Sequence, residues 1–263
     1  MLGNRCIPHM VFGGQIIEQL LCPECGATSE PAINESFTHV IYATELLQYA
    51  SNNKSHSFNL LLSMCLKRSS IHLPCPSLNS DRPSTCRGRS YLRAYLMNAP
   101  YTIALAIQWT SDREDDKKLS QFMSVISYRL SPAEIFSKQG ILKDSVPQYF
   151  FRGMVCYYGQ HYVSVFQDCS VGRPRFLLFD DARIRVIGQW RDVLAECKRA
   201  RYQPVLLLYE KDSGTHDIAH LLGSDLDYSS MNDISLSWHP IIVIALVDEF
   251  DAERLAEGSE IKS

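Results

Sequence analysis

Two runs that alternate apolar and polar residues, GMVCYYG and HYVSVF, stand back to back in residues 153–166, with only Gly159-Gln160 as a break between them. Strand-like runs this close in sequence can pair only antiparallel, because a parallel neighbour needs a crossover of a dozen or more residues. The pattern continues on both sides. YFFRGMVCYYG, HYVSVFQD and PRFLLFDDARIRVIG read as three strands meeting through short turns. QWRDVLAECKRA follows as a helix with Trp190, Val193, Leu194 and Cys197 on one face, and QPVLLLYE as a final buried strand. The C-terminal part of the chain is thus predicted to be an antiparallel sheet with a helix against it, and the fold class to be α+β.

Upstream, VFGGQIIEQLLCPECGATSEP reads as a strand that enters a Cys22-x-x-Cys25-Gly26 knuckle. IYATELLQYA and FNLLLSMCLKRSS place Leu46, Leu47 and Tyr49, then Leu60, Leu61 and Met64, at helical spacing, which predicts two short helices. CPSLNSDRPSTCRGR has the composition of a surface loop. YLRAYLMNAPYTIALAIQW gives two strands around Asn98-Ala99-Pro100, REDDKK (residues 113–118) a charged loop, and LSPAEIF a helical turn capped by Ser131. Beyond about residue 211 the chain is polar and acidic apart from PIIVIALV at 240–247, and it reads as a flexible tail.

Charge and cysteine usage exclude several function classes. A formal net charge of −3 does not suit a general nucleic-acid binder, and Arg82, Arg87, Arg89 and Arg93 form only a local solvated face. Nine cysteines, an odd and scattered number, are no disulfide framework, and MLGNRCIPHM lacks the basic and apolar regions of a signal peptide. The expected compartment is reducing and cytoplasmic. No apolar run approaches the ~20 residues of a membrane-spanning helix.

Within this frame His161 is the residue that asks for a chemical explanation. Alone on a strand it is more simply a packed, hydrogen-bonded side chain. Its context changes that reading. Pairing Tyr162 to Gln167 with Arg175 to Phe179 brings the Asp180-Asp181 turn, FDD in the sequence, beside the imidazole. A carboxylate there can hold one ring tautomer while the other nitrogen faces a nucleophile. An Asp-Asp pair at a strand end is also an ordinary turn.

GMVCYYGQHYVSVFQD, followed by RFLLFDDARIRVIGQWRDVLAECKRARYQPVLLLY, resembles the histidine box and C-terminal strands of the ubiquitin-specific proteases, papain-like cysteine peptidases that remove ubiquitin. It is most similar to the subgroup known as inactive ubiquitin carboxyl-terminal hydrolases fifty-three and fifty-four. VFGGQIIEQLLCPECGATSEP and YLMNAPYTIALAIQW resemble earlier parts of that subgroup in the same order. The resemblance covers roughly residues 6–210. It implies a hand-shaped protease domain with fingers at about 11–96 and an antiparallel palm at about 97–210, the thumb largely missing. It makes His161 the proton acceptor, Asp180 its orienting carboxylate and Asp181 the acid that positions the reacting water. Ubiquitin or a ubiquitinated protein is the implied partner.

The nucleophile is the missing part. Gly3-Asn4-Arg5-Cys6 imitates the start of the family's cysteine box, but Ile7-Pro8-His9 stands where that box has an aromatic residue and a helix start. The chain therefore reads as lacking the thiol, and as catalytically inactive by itself. Cys22 and Cys25 form half of a zinc ribbon, with Cys75 and Cys86 as the other half if the long stretch between them is an insertion. A zinc site and four reduced thiols both remain open. Cys65, Cys156, Cys169 and Cys197 lie in or beside apolar runs and read as core. Three functions follow: an inactive protease-like domain that binds ubiquitin or a partner, a piece of an active deubiquitinase, and a zinc-finger adaptor.

Overall fold

In the computed structural model, the structure describes residues 7–52, 57–66, 73–76, 86–136, 147–168 and 175–212. They build two sheets. The smaller has strand order β2-β1-β5-β4, from β1 (Gly14–Leu21), β2 (Ala32–Ser36), β4 (Leu73–Pro74) and β5 (Arg89–Leu96), all antiparallel. One of its faces turns inward at the base, where Ile16 pairs with Leu96 and both are buried. The Asn98 side chain fastens that base: it accepts from Gln15 N–H (2.7 Å) and donates to the Gly13 carbonyl (2.9 Å).

The larger sheet runs β11-β10-β9-β8-β12-β6-β3, with β7 (Arg129–Leu130) added on β8. Its strands are β3 (Thr38–Tyr42), β6 (Thr102–Gln108), β8 (Tyr149–Tyr158), β9 (His161–Asp168), β10 (Arg175–Asp180), β11 (Arg183–Gly188) and β12 (Gln203–Lys211). Every pairing on the path is antiparallel except β3 with β6. Helices α2 (Ala43–Asn52), α3 (Phe58–Leu66), α4 (Asp116–Val125), α5 (Pro132–Ile135) and α6 (Trp190–Ala200) contribute to the core on one face, around Phe122, Tyr149, Phe151 and Tyr209. On the other face α1 (Ile7–Phe12) sets Val11 and Phe12 against Ala104, Val155, Phe166, Leu206 and Leu208. Central strands buried on both sides explain why TIALAI and QPVLLLYE are near-continuous apolar runs rather than alternating ones.

Several expectations need correction. PRFLLFDDARIRVIG is two strands, not one, because the chain reverses at Asp181-Ala182 between β10 and β11. REDDKK is not all loop: the Asp115 carboxylate caps Lys118 N–H at 2.7 Å, so α4 begins at Asp116. Val11 lies in α1 rather than in a strand. Ser131 precedes α5 but makes no side-chain cap. The stretch read as fingers contributes to both sheets, since β3 belongs to the larger one and α2 and α3 pack in the core against it. Residues 213–263, read as a tail, lie outside the described residues.

At Arg152 the register of β8 against β12 slips by one residue, with Gly153 opposite Leu208 and Phe151 opposite Tyr209. Such a bulge re-aims a side chain. The Arg152 guanidinium donates twice to Glu210 (2.6 and 2.9 Å) and once to Gln167 (2.8 Å). Tyr101 OH donates to Glu210 at 2.8 Å, and Gln167 donates to Tyr128 OH at 3.1 Å. Gly153 is obligatory for a different reason: a Cβ there would stand 2.2 Å from the Phe166 ring.

Candidate active site and cysteine cluster

Two tight turns bring the site together. Gly159 (φ 55°) and Gln160 (φ 71°) both take the left-handed region between β8 and β9, as a two-residue hairpin turn matched to strand twist requires. His161 is thereby the first residue of β9. In β10, Phe179 is opposite Ser164, so Asp180 lies on the same face as Val163 and His161, one diagonal step from the histidine. His161 Nε2 and Asp180 Oδ1 are 2.7 Å apart, the hydrogen bond expected from the sequence. An ionised carboxylate only accepts, so Nε2–H donates. Asp181 follows in a left-handed turn (φ 50°), with its Oδ1 3.9 Å from His161 Nδ1. His161 and Asp180 are partly exposed, and Asp181 is 83% exposed.

A cavity of about 690 Å³ adjoins this hairpin, lined by Tyr157, Tyr158, Gly159, Tyr202, Arg113 and Glu114 among others. The rings of Tyr158 and Tyr202 meet edge to face at 5.6 Å. Tyr202 is placed by the end of α6. That helix starts with a capping box, in which Gln189 N–H donates to the Asp192 carboxylate at 2.8 Å, and it ends at Arg201 in the left-handed region. Trp190 at its start packs on Phe151 with ring centroids 4.5 Å apart.

The second cluster lies at the far end of the smaller sheet. Cys22 and Cys25 sit in the knuckle after β1, where Gly26 N–H bonds the Cys22 carbonyl and Gly26 takes φ 73°. Pairing of Leu73 with Ser90 and Pro74 with Arg89 brings Cys75 and Cys86 to the same end. The sulfurs of Cys22 and Cys86 are 3.8 Å apart and those of Cys25 and Cys75 3.4 Å; the four ligand atoms all lie within 4.8 Å of one another. Four sulfurs at ~2.3 Å from one tetrahedral ion lie ~3.8 Å apart. The residues fit a metal ion. The Gly88 N–H, 3.4 Å from Cys86 Sγ, pulls that thiol's pKa down, but Cys25, desolvation, Cys22 and Cys75 outweigh it and push it up to about 12. Crowded thiols resist ionising beside one another, and a cation among them reverses that balance. Gly88 also packs closely, since a Cβ there would be 2.8 Å from Cys22 Sγ.

The structure thus brings His161, Asp180 and Asp181 together, and separately Cys22, Cys25, Cys75 and Cys86. Cys65, Cys156 and Cys197 are buried, as their apolar settings predict, while Cys6 and Cys169 lie outside the described residues. Gly88 and Tyr202 were not foreseen. A sequence signal existed for the first, because Cys86-x-Gly88 echoes the glycine that follows Cys25; Tyr202 carried none. Among the described residues no helix is long and apolar enough to cross a membrane.

The sequence profile described as UCH, ubiquitin carboxyl-terminal hydrolase, matches residues 1–209. "Ubiquitin carboxyl-terminal hydrolase 54" of Rattus norvegicus is 31% identical over 219 residues, which is 80% of this chain and 13% of the relative. "Ubiquitin carboxyl-terminal hydrolase 53" of Homo sapiens is 28% identical over 228 residues, 81% of this chain and 19% of the relative. The chain therefore spans between about an eighth and a fifth of the length of these relatives. Among solved structures, the SAGA Ubp8/Sgf11/Sus1/Sgf73 DUB module bound to ubiquitin aldehyde superposes with a TM-score of 0.50 at 17% identity, covering 81% of this chain and 44% of that one. A yeast SAGA DUB module with a mutant Sgf73 gives a TM-score of 0.52 at 15% identity, covering 81% and 43%. These similarities establish a shared fold.

Proposed function

The chain belongs to the ubiquitin carboxyl-terminal hydrolase family, and from that premise we propose that residues 6–210 are a ubiquitin-binding domain of fingers and palm whose own residues do not hydrolyse isopeptide bonds. The observation that carries the protease-like part of this reading is the His161–Asp180 hydrogen bond of 2.7 Å at the end of the palm sheet, while the lack of hydrolysis rests on the burial of Cys65, Cys156 and Cys197. In a thiol protease a histidine takes the proton of a cysteine while a hydrogen-bonded neighbour fixes its tautomer. Here Asp180 would hold Nε2–H, leaving Nδ1 as the acceptor, and Asp181 would position water beside it.

A nucleophile must be a thiolate, and thiols buried in apolar surroundings stay protonated. Burial, with Glu45 adding to it, pushes Cys65 up to about 12, and burial together with Cys197 holds Cys156 well above its ordinary value. Cys197 is itself fully buried. Ubiquitin as the partner is supported by the fold-sharing DUB modules whose structures hold monoubiquitin or ubiquitin aldehyde. Cys22, Cys25, Cys75 and Cys86 would hold one zinc ion, whose part is structural: a closed site of four thiolates ties the end of β1 to the β4–β5 hairpin. Reduced thiols suit a cytoplasmic location.

A ubiquitin derivative with a thiol-reactive C terminus tests the reading. Residues 1–263 should stay unlabelled under conditions that consume an active deubiquitinase. The dyad's intact geometry favours one other reading, an active deubiquitinase, and labelling that disappears in Cys6→Ser would establish it instead.

A further inference from the structure

We propose that His161 and Asp181 form a second metal site, taking a divalent first-row cation of the zinc class, with Asp180 as its positioning group. Because the Asp180 carboxylate can only accept, the 2.7 Å bond fixes the proton on Nε2 and turns the lone pair of Nδ1 outward. Asp181 Oδ1 stands 3.9 Å from that nitrogen. Two acceptors cannot hydrogen-bond each other, and 3.9 Å is beyond hydrogen-bond length in any case. Bonds of about 2.0–2.2 Å to one tetrahedral ion set two ligand atoms ~3.4 Å apart, so the Asp181 carboxylate has to close by about half an ångström to share an ion with Nδ1. Ligand atoms of His161, Asp180 and Asp181 all lie within 4.8 Å of one another.

The arrangement is that of a metal-binding histidine, which donates its other ring N–H to a carboxylate that fixes its orientation. One imidazole and one carboxylate suit zinc, cobalt or nickel better than calcium or magnesium, which prefer oxygen donors alone. The high exposure of Asp181 lets its carboxylate close on the ion and leaves the remaining coordination positions to water. With two protein ligands this site is weaker than the cluster of four thiols. A cation there takes the Nδ1 lone pair and so competes with any use of His161 as a proton acceptor. The proposal goes beyond the ubiquitin reading and does not depend on it.

Residues 1–263, with the cysteine cluster first filled by one equivalent of zinc, should show a second, weaker binding event when titrated calorimetrically with further Zn²⁺. That event should vanish in His161→Asn and weaken at least about tenfold in Asp181→Asn, where asparagine tolerates the left-handed turn. Asp180→Asn, which leaves both ligands in place, should weaken it about 10- to 100-fold. No second event, or one that survives His161→Asn, overturns the proposal. Should His161→Asn fail to fold, Co²⁺ added to the zinc-loaded parent chain decides: paramagnetic broadening centred on residues 158–163 and 179–183 supports the site, and broadening centred elsewhere overturns it.

Discussion

Replacing Cys22 by serine should empty the cysteine cluster of metal and unfold the outer end of the smaller sheet at temperatures where the parent chain is intact. That end keeps the pairing of β1 with β5 as far as Leu21 and Tyr91, but β2 is largely exposed and β4 is two residues long. Structural zinc in zinc-finger peptides contributes an apparent ~10–16 kcal/mol at neutral pH. Zinc content should fall from about one per chain to near zero, and amide exchange should accelerate in residues 19–28 and 86–92. Cys75→Ser and a strong chelator should do the same, whereas Cys65→Ala should leave the metal in place. Parent protein prepared without chelator and carrying no zinc would contradict this account of the cluster.

Arg152→Met should cost about 3–5 kcal/mol of stability in urea denaturation, because it leaves the Glu210 carboxylate buried without its cation. Glu210 is only 7% exposed, and the ion pair is bidentate. The double variant Arg152→Met with Glu210→Met should recover a large part of that loss, since an apolar pair of similar volume removes the stranded charge rather than adding contacts. If the double variant were as unstable as the single one, the loss would come from the bulge and the bonds to Gln167 and Tyr101. The network would then contribute as shape and not as charge.

What could be read from the sequence follows where local pattern decides structure. The β8–β9 hairpin and its histidine were legible because Gly159-Gln160 separates two alternating runs, and α6 because Trp190, Val193 and Cys197 recur at helical spacing. Antiparallel pairing placed a carboxylate of the Asp180-Asp181 turn beside His161, and the family resemblance pointed to Asp180 as the one that orients it. A turn at Asp180-Asp181 was legible, but the separate strand β11 beyond it was not, because Asp181, a non-glycine residue, takes φ 50° there and no glycine marks the full reversal. The start of α4 was hidden by its cap: Asp115, Asp116 and Lys118 look like a charged loop until the Asp115 carboxylate is seen on the Lys118 N–H. β3 owes its place to parallel pairing with β6, more than sixty residues away, and no local pattern reports that. Closure of the cysteine cluster was undecidable from spacing for the same reason, since Cys75 and Cys86 meet through the pairing of β4 with β5.

The central claim is that this domain binds ubiquitin, and titration of ¹⁵N-labelled ubiquitin with zinc-loaded residues 1–263 tests it most directly. Saturable changes confined to one surface of ubiquitin and its C-terminal tail are the predicted result. They should weaken when Tyr158→Ala alters the wall of the cavity that adjoins the β8–β9 turn. A ubiquitin spectrum that stays unchanged while the chain retains one zinc would contradict the claim and leave a zinc-bound scaffold in its place.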